Sequence, residues 1–349
     1  MGQIADLIGL FGIRKLATMA RAEKAARSFY RGYCASTCFT VLLNVGLIDK
    51  MLQTRWVHVG KYAAQNGFSE EVLEAILHYL DGISVVRMDE GFCRLTSLGR
   101  KLCGLPRGGF SLLWGYEPVF HRLEDLLRGV AVYGRDVKRR GDYIAKGSGE
   151  LSRHLPFPVM RLMLASHGIK SVLDLGSGDL EFLFMLCQGD PAMRCHGIDI
   201  SPEAVAYARS RLETSPWKDR VTTEVADMFD IAAVARRLPA IDAVTAIDAF
   251  HEHLKKGHET VINLLREIRL AYPKAFMVVG EFCKQSQESL RRRPTGFLEH
   301  HLFHNLTDQK ILFADEWERI FAESGYSLVE KKVFNLVGHG YFVLSSPSS

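Results

Sequence analysis

The residues best suited to chemistry are concentrated in two short stretches. Residues 246–259, AIDAFHEHLKKGHE, bring His251, His253, His258, Glu252 and Glu259 together where an apolar run over residues 241–247 gives out. A second stretch, FLEHHLFHNLTDQ, holds His300, His301 and His304, so six of the thirteen histidines lie between 251 and 304. On a helix His300 and His304 share a face at i, i+4, and His301 and His304 nearly do at i, i+3. Neutral imidazoles on one face are the usual protein half of a zinc or iron site. Two histidines and one carboxylate with open positions form a recognised iron arrangement, and zinc accepts the same ligands. A metal with open positions needs a substrate that chelates, as a 2-oxo acid does through its keto and carboxylate oxygens. Without a metal, one histidine at this place would serve as a general base. On a regular helix Glu252 points about 100 degrees away from His251, which suits a supporting carboxylate or a base. His253 and His258 read as solvated.

A second constellation lies upstream. VLDLGSGDLEF joins an apolar strand to a turn at Asp174, Gly176 and Gly178. Glycines there let the backbone approach a ligand and turn tightly into the next helix. About twenty residues later CHGIDIS ends an apolar segment in Asp199, where a carboxylate can accept hydrogen bonds from ribose hydroxyls. EVADMFD then places Asp227 at the end of the next strand, suited to an adenine amino group. A dinucleotide fold keeps G-x-G-x-x-G because a pyrophosphate sits on the helix N-terminus. This chain reads D-x-G-x-G-x-L, and Asp179 and Glu181 follow, which would repel a pyrophosphate and tolerate a cation. S-adenosylmethionine carries a sulfonium and no phosphate, so it is the expected cofactor.

These segments need elements to position them. From residue 169 onward short apolar strands alternate with helical patterns, which predicts an α/β domain with a mostly parallel sheet covered on both faces. Residues 1–105 read as helix, turn, amphipathic helix and a hairpin across MDEG, the order of a winged helix. The segment that would read DNA, SEEVLEAILHYL, is acidic and apolar where phosphate contacts need Lys or Arg. That implies a packing or dimerisation module and no nucleic-acid partner. Residues 106–165 form a helical, basic connector that covers the substrate, and residues 166–349 the catalytic domain.

Bulk properties agree. At 349 residues the chain has room for two domains of about 100–200 residues. Its 47% hydrophobic and 24% charged content is that of a globular protein. The net charge of +4 is interspersed, and Arg291, Arg292 and Arg293 form a short block. Seven cysteines without a CxxC pair read as free thiols in a reducing compartment. No signal peptide is recognised and no apolar stretch is long enough to span a bilayer, so a cytoplasmic protein without a membrane partner is expected.

Asp174-Leu175-Gly176-Ser177-Gly178, Asp199 and Asp227 resemble the three binding motifs of class I S-adenosylmethionine-dependent methyltransferases. The front domain with LTSLGRKL resembles the dimerising domain of plant and bacterial small-molecule O-methyltransferases. The resemblance implies a Rossmann-like methyltransferase sheet behind a helical winged-helix domain, and a homodimer. It implies that Gly176 and Gly178 line the methionine moiety, that Asp199 binds the ribose, and that Asp227 with Met228 or Phe229 borders the adenine. Leu180 departs from it, standing where many relatives carry a third glycine. His251-Glu252 matches the family's His-Asp pair, whose histidine is the general base. The abundance of later histidines is similar to a narrower group, the 2-oxo acid C-methyltransferases, closest to those acting on 5-guanidino-2-oxopentanoate. That group implies a divalent zinc or iron held by His251 and a later histidine, His304 or else His300 or His301, with Glu252 as ligand or base, and an enolate methylated at C3. Aliphatic or aromatic 2-oxo acids are the nearest alternatives as substrate, and a metal-free O-methyltransferase is the alternative function. Arg135 or Arg139 would pair with the substrate carboxylate. No acidic motif is assignable to a guanidinium, and Glu117, Glu124 and Asp125, in the helical stretch expected to cover the pocket, are candidates only.

Overall fold

The computed structural model describes residues 2–347. The chain divides into two compact units, one ending at Trp114 and the other beginning at Gly115, inside the helix Arg107–His121.

The first unit is helical apart from a three-stranded sheet. The 32-residue helix Ile13–Asn44 buries only its C-terminal end, where Phe39, Leu42 and Leu43 join a core with Leu73, Leu77 and Leu80 of the helix Glu70–Gly82. Those three leucines recur at i, i+4 and i+7, so one stripe faces the core. Ser69 caps that helix by accepting from the Val72 amide. The small strands β1 (Val57–His58), β2 (Val86–Asp89) and β3 (Phe92–Leu95) pair antiparallel in the order β1-β3-β2. A two-residue turn at Glu90 and Gly91, both at positive φ, closes the β2–β3 hairpin, as MDEG predicts.

The second unit is built on a seven-stranded sheet. Its strands are β4 (Ser171–Leu175), β5 (Arg194–Asp199), β6 (Val221–Val225), β7 (Ala243–Ile247), β8 (Phe276–Phe282), β9 (Ser327–Phe334) and β10 (His339–Ser345). The order is β6-β5-β4-β7-β8-β10-β9, with the first five parallel and β10 antiparallel to both β8 and β9. This is the α/β, Rossmann-like sheet expected from the sequence. Apolar side chains alternate between its two faces. Leu173, Leu175, Val244 and Ala246 enter one core with Trp317 and Phe321, while Val172, Ala243, Val278 and Tyr341 enter the other with Leu183 and Leu186. Burial on both faces explains the near-continuous apolar runs of the strands. Chain order reverses at β4, whose neighbours are β5 and β7, and ligands bind outside the carboxyl ends of strands at such a point.

The turn after β4 is unusual in one respect. Gly176 and Gly178 take positive φ, and so does Leu180, at φ 66° with a side chain that is fully buried. A Cβ in the left-handed region costs on the order of 1 kcal/mol, and burial of the leucine stabilises by more. Leu180→Ala is therefore expected to destabilise the protein by about 2–5 kcal/mol. Leu180→Gly should cost about 1 kcal/mol less than alanine by relieving the backbone, despite removing one more carbon. Urea denaturation of the three proteins measures the order, and an alanine variant at least as stable as the glycine variant would contradict it.

Candidate active site

The carboxyl ends of β4 to β7 surround a cavity of about 380 Å³. Gly176, Asp199, Asp227 and Met228 line it, as does His253. The backbone amides of Gly176 and Ser177 both donate to the Ile198 carbonyl, which fixes the turn against β5. Asp199 accepts from the Gly178 amide at 3.0 Å and the Ser201 amide at 2.9 Å, so the carboxylate expected on the ribose is also the brace of the glycine turn. Asp227 accepts from the Phe229 amide and caps the short turn that presents Met228 to the cavity. Phe229 packs edge-on against His253 at 5.0 Å. His253, expected in solvent, is thus part of the wall, while His258 is exposed.

Two expectations from the glycine turn change. Asp179 and Glu181 were expected to repel a phosphate ligand, but Arg211 bonds both and Arg153 bonds Glu181, so their charge is offset locally. Asp174 lies beneath the turn rather than in the cavity wall. It is 4% exposed and accepts from the Thr245 hydroxyl at 2.6 Å, because the β4–β7 register sets the two residues side by side. Burial pushes its carboxyl up to about 7, opposed by the Thr245 hydrogen bond and assisted by Asp199.

The histidines follow. Phe250 and His251 open a short 3-10 turn after β7. Glu281, wholly buried on β8, accepts from the Phe250 amide at 2.6 Å and the His251 amide at 3.3 Å, and faces His251 Nδ1 at 2.9 Å. In the neutral ring the Nδ1–H would point to Glu281 and leave the lone pair on Nε2. Burial alone would lower the His251 pKa, and the Glu281 carboxylate outweighs it and raises it. His304, on the helix Phe297–Leu306, donates Nδ1–H to the His300 carbonyl at 2.7 Å, so its Nε2 is likewise the unprotonated nitrogen. Burial, then the neighbouring His251, keeps His304 neutral by holding its pKa well below the ordinary value. The two ring centroids are 5.1 Å apart.

Of the three later histidines, His304 is the one whose ring meets His251. His300 contributes its carbonyl, and its ring packs on Phe282 with a pKa lowered to about 4 by burial. His301 lines a separate cavity with His258, Lys284 and Lys310. Glu252 does not complete a ligand set with the histidines. Its Oε1 accepts from Arg139 at 2.6 Å and from Gln309 at 2.9 Å. Although burial opposes it, Arg139 keeps this carboxyl below its ordinary value. Among the described residues no three His, Cys, Asp or Glu side chains converge as a metal cage. His251 and His304 alone would leave the remaining ligands of any metal to the substrate.

Arg135 was expected at the substrate carboxylate, but its guanidinium is 70% exposed and bonds Asp136. Arg139, its alternative, lines the cavity and is steadied by Glu252 and the Tyr116 hydroxyl. The acids proposed for a guanidinium are engaged by arginines of the protein, Glu117 by Arg140, Glu124 by Arg128 and Asp125 by Arg122. Glu281, Asp248 and His339 went unrecognised in the sequence. A lone glutamate inside the apolar strand FMVVGEF was the available signal, since an unpaired acid is almost never buried.

Residues 166–325 match the family profile described as a methyltransferase domain. The protein is an S-adenosylmethionine-dependent methyltransferase. The chain is 26% identical over 316 residues to a 2-ketoarginine methyltransferase of Streptomyces arginensis, covering 87% of this chain and 88% of the relative. It is 22% identical over 302 residues to Methyltransferase ungE' of Aspergillus campestris, covering 82% and 86%. Its fold is that of the mitomycin 7-O-methyltransferase MmcR, with a TM-score of 0.68 at 15% identity over 95% of this chain and 99% of that one.

The buried Asp174 of this methyltransferase gives a pH signature. Below about pH 4 the carboxyl is protonated in both folded and unfolded chains, whereas between about 4 and 7 only the unfolded chain ionises it. Stability therefore falls as pH rises through that window, by an amount on the order of 4 kcal/mol. Asp174→Asn cannot ionise and retains an oxygen for Thr245, so it should gain stability relative to wild type from pH 4 to pH 8. Chemical denaturation at the two pH values checks this, and a pH-independent difference would contradict it.

Proposed function

We propose that this methyltransferase transfers the methyl group to C3 of a 2-oxo acid, with a divalent zinc or iron shared between His251 and His304. The observation that carries the reading is the pair of imidazoles, each anchored through Nδ1, whose ring centroids lie 5.1 Å apart. A general base needs one such ring, and a two-histidine site left open for a chelating substrate needs two. When bound, the metal would act as a Lewis acid that polarises the ketone and acidifies the C3 hydrogen.

The protein's own residues have the remaining tasks. Arg139 is the cation in the cavity for the substrate carboxylate, and Tyr116 and Glu252 fix its plane for bidentate contact. Glu252 is the base we assign to the C3 proton, through Oε2, since Oε1 is committed to Arg139 and Gln309. Removal of that proton leaves an enolate whose C3 attacks the sulfonium methyl in line. The C–S bond breaks and S-adenosylhomocysteine leaves, so the protein contributes mainly positioning. The whole-length similarity to a 2-ketoarginine methyltransferase makes 5-guanidino-2-oxopentanoate the first substrate to try. Because Glu117, Glu124 and Asp125 are already paired with arginines, a guanidinium would have to displace one of them, which supports testing 2-oxo acids with uncharged side chains as well.

A metal-free O-methyltransferase is the second reading, favoured by the His251–Glu281 dyad, which by itself forms an oriented general base. We also propose a homodimer formed through the first unit, because Ile4, Leu7, Ile8, Leu10, Phe11 and Ile13 are exposed on its opening helices and a second copy would cover them. Light scattering should give twice the monomer mass, and a monomer would contradict it.

The deciding experiment is the product mass after incubation with S-adenosylmethionine and 5-guanidino-2-oxopentanoate or phenylpyruvate, with and without a chelator. One added methyl group, abolished by the chelator, is expected. His251→Ala and His304→Ala should each lose bound metal and turnover together while still binding the cofactor. Full metal content in both variants would contradict the shared site, and chelator-resistant methylation of a phenol would favour the second reading.

A further inference from the structure

Asp248 and His339 form a second buried acid–histidine pair that neither the cofactor motifs nor the histidine site uses. Asp248 stands just past β7 and lines the cofactor cavity. Its backbone is left-handed, at φ 53°, and its amide donates to the Gly280 carbonyl at 2.8 Å. Its Oδ1 faces His339 Nε2 at 2.8 Å, and both side chains are largely buried, at 16% and 4% exposure. His339 is brought there by the β8–β10 register, opposite Phe282, and its other nitrogen has no partner. A non-glycine residue in that backbone region stores strain, which surrounding structure must hold in place.

The other acids of the cavity are otherwise committed. Asp199 and Asp227 take backbone amides at the ribose and adenine end, and Glu252 takes Arg139. Among the described residues no guanidinium or ammonium pairs with Asp248. It adjoins Ala249, whose Cβ lies 3.9 Å from where a Cβ on Gly176 would stand, and Asp248 and Gly176 line the same cavity. A cofactor seated against Gly176 would share the cavity with this carboxylate.

We propose that Asp248 is the carboxylate that holds the sulfonium of S-adenosylmethionine, and that His339 is the positioning residue that aims it. The attraction exists only before transfer. Once the methyl group leaves, the sulfonium becomes a neutral thioether and the charge–charge contact is lost, so the site favours substrate cofactor over product. Arg139, which also lines the cavity, would draw an anionic substrate. The inference rests on the S-adenosylmethionine dependence and not on the 2-oxo acid reading.

The test is the dissociation constant of S-adenosylmethionine and of S-adenosylhomocysteine, measured by calorimetry without methyl acceptor. Asp248→Asn is the informative variant, because asparagine tolerates the left-handed backbone and still accepts from His339 while losing the charge. S-adenosylmethionine should bind about tenfold more weakly, the scale of one favourable charge contact, and S-adenosylhomocysteine should bind unchanged. His339→Leu should lower the same selectivity in the wild-type background and leave it unaltered in the Asp248→Asn background. His339→Gln, which retains a donor, should restore part of it and serves as the second probe if Asp248→Asn is unstable. A parallel weakening of both ligands would assign Asp248 to the shared ammonium group or to a structural role and overturn the proposal. Unchanged selectivity would overturn it equally.

Discussion

A wholly buried carboxylate, Glu281, ties the turn after β7 to the middle of the sheet, and the reactive end of the protein depends on it. It receives two backbone amides and meets one imidazole nitrogen, so a buried acid that would be costly alone has three hydrogen-bond partners. The same three bonds set the start of the 3-10 turn, the tautomer of His251 and the side of the ring that carries the lone pair. Removing the carboxylate would leave the Phe250 amide unpaired in the core and free the imidazole to rotate, so structure and reactivity are lost together.

Around that anchor the site is arranged by aromatic packing as much as by polar contact. The Phe282 ring lies within 5.4 Å, centroid to centroid, of His251, His300, His304 and His339. Packing of this kind limits ring rotation and keeps water from competing for the imidazole nitrogens. Trp317 donates its indole N–H to the Phe282 carbonyl and fills the core below, which ties the C-terminal helix to the same strand end.

Much of this was legible in the sequence, and what was missed has a common cause. The glycine turn, Asp199 and Asp227 are local signals, each read from a strand end followed by a turn, and the structure assembles them around one cavity. His251 and His304 were legible as residue types, yet choosing His304 over His300 and His301 required knowing how the helix Phe297–Leu306 is rotated against β8. Glu252 and Arg135 were expected as ligand and carboxylate partner from their sequence neighbourhood, and other pairings redirect both: Glu252 binds Arg139, 113 residues away, and Arg135 turns to its own neighbour Asp136. Glu281 and His339 sit in strands whose apolar pattern identifies the sheet but says nothing about which polar exception meets which. Periodicity reveals the face a residue occupies, and strand order decides its partner.

The central claim is that the paired histidines activate C3 of a 2-oxo acid before any methyl group moves. It can be measured without turnover, by following hydrogen–deuterium exchange at C3 in heavy water with proton NMR, with S-adenosylhomocysteine bound. The account predicts exchange well above the spontaneous rate for the wild-type protein and loss of that excess in His251→Ala and in His304→Ala. Exchange no faster than in buffer across 2-oxo acids with aliphatic, aromatic and guanidino side chains would contradict it.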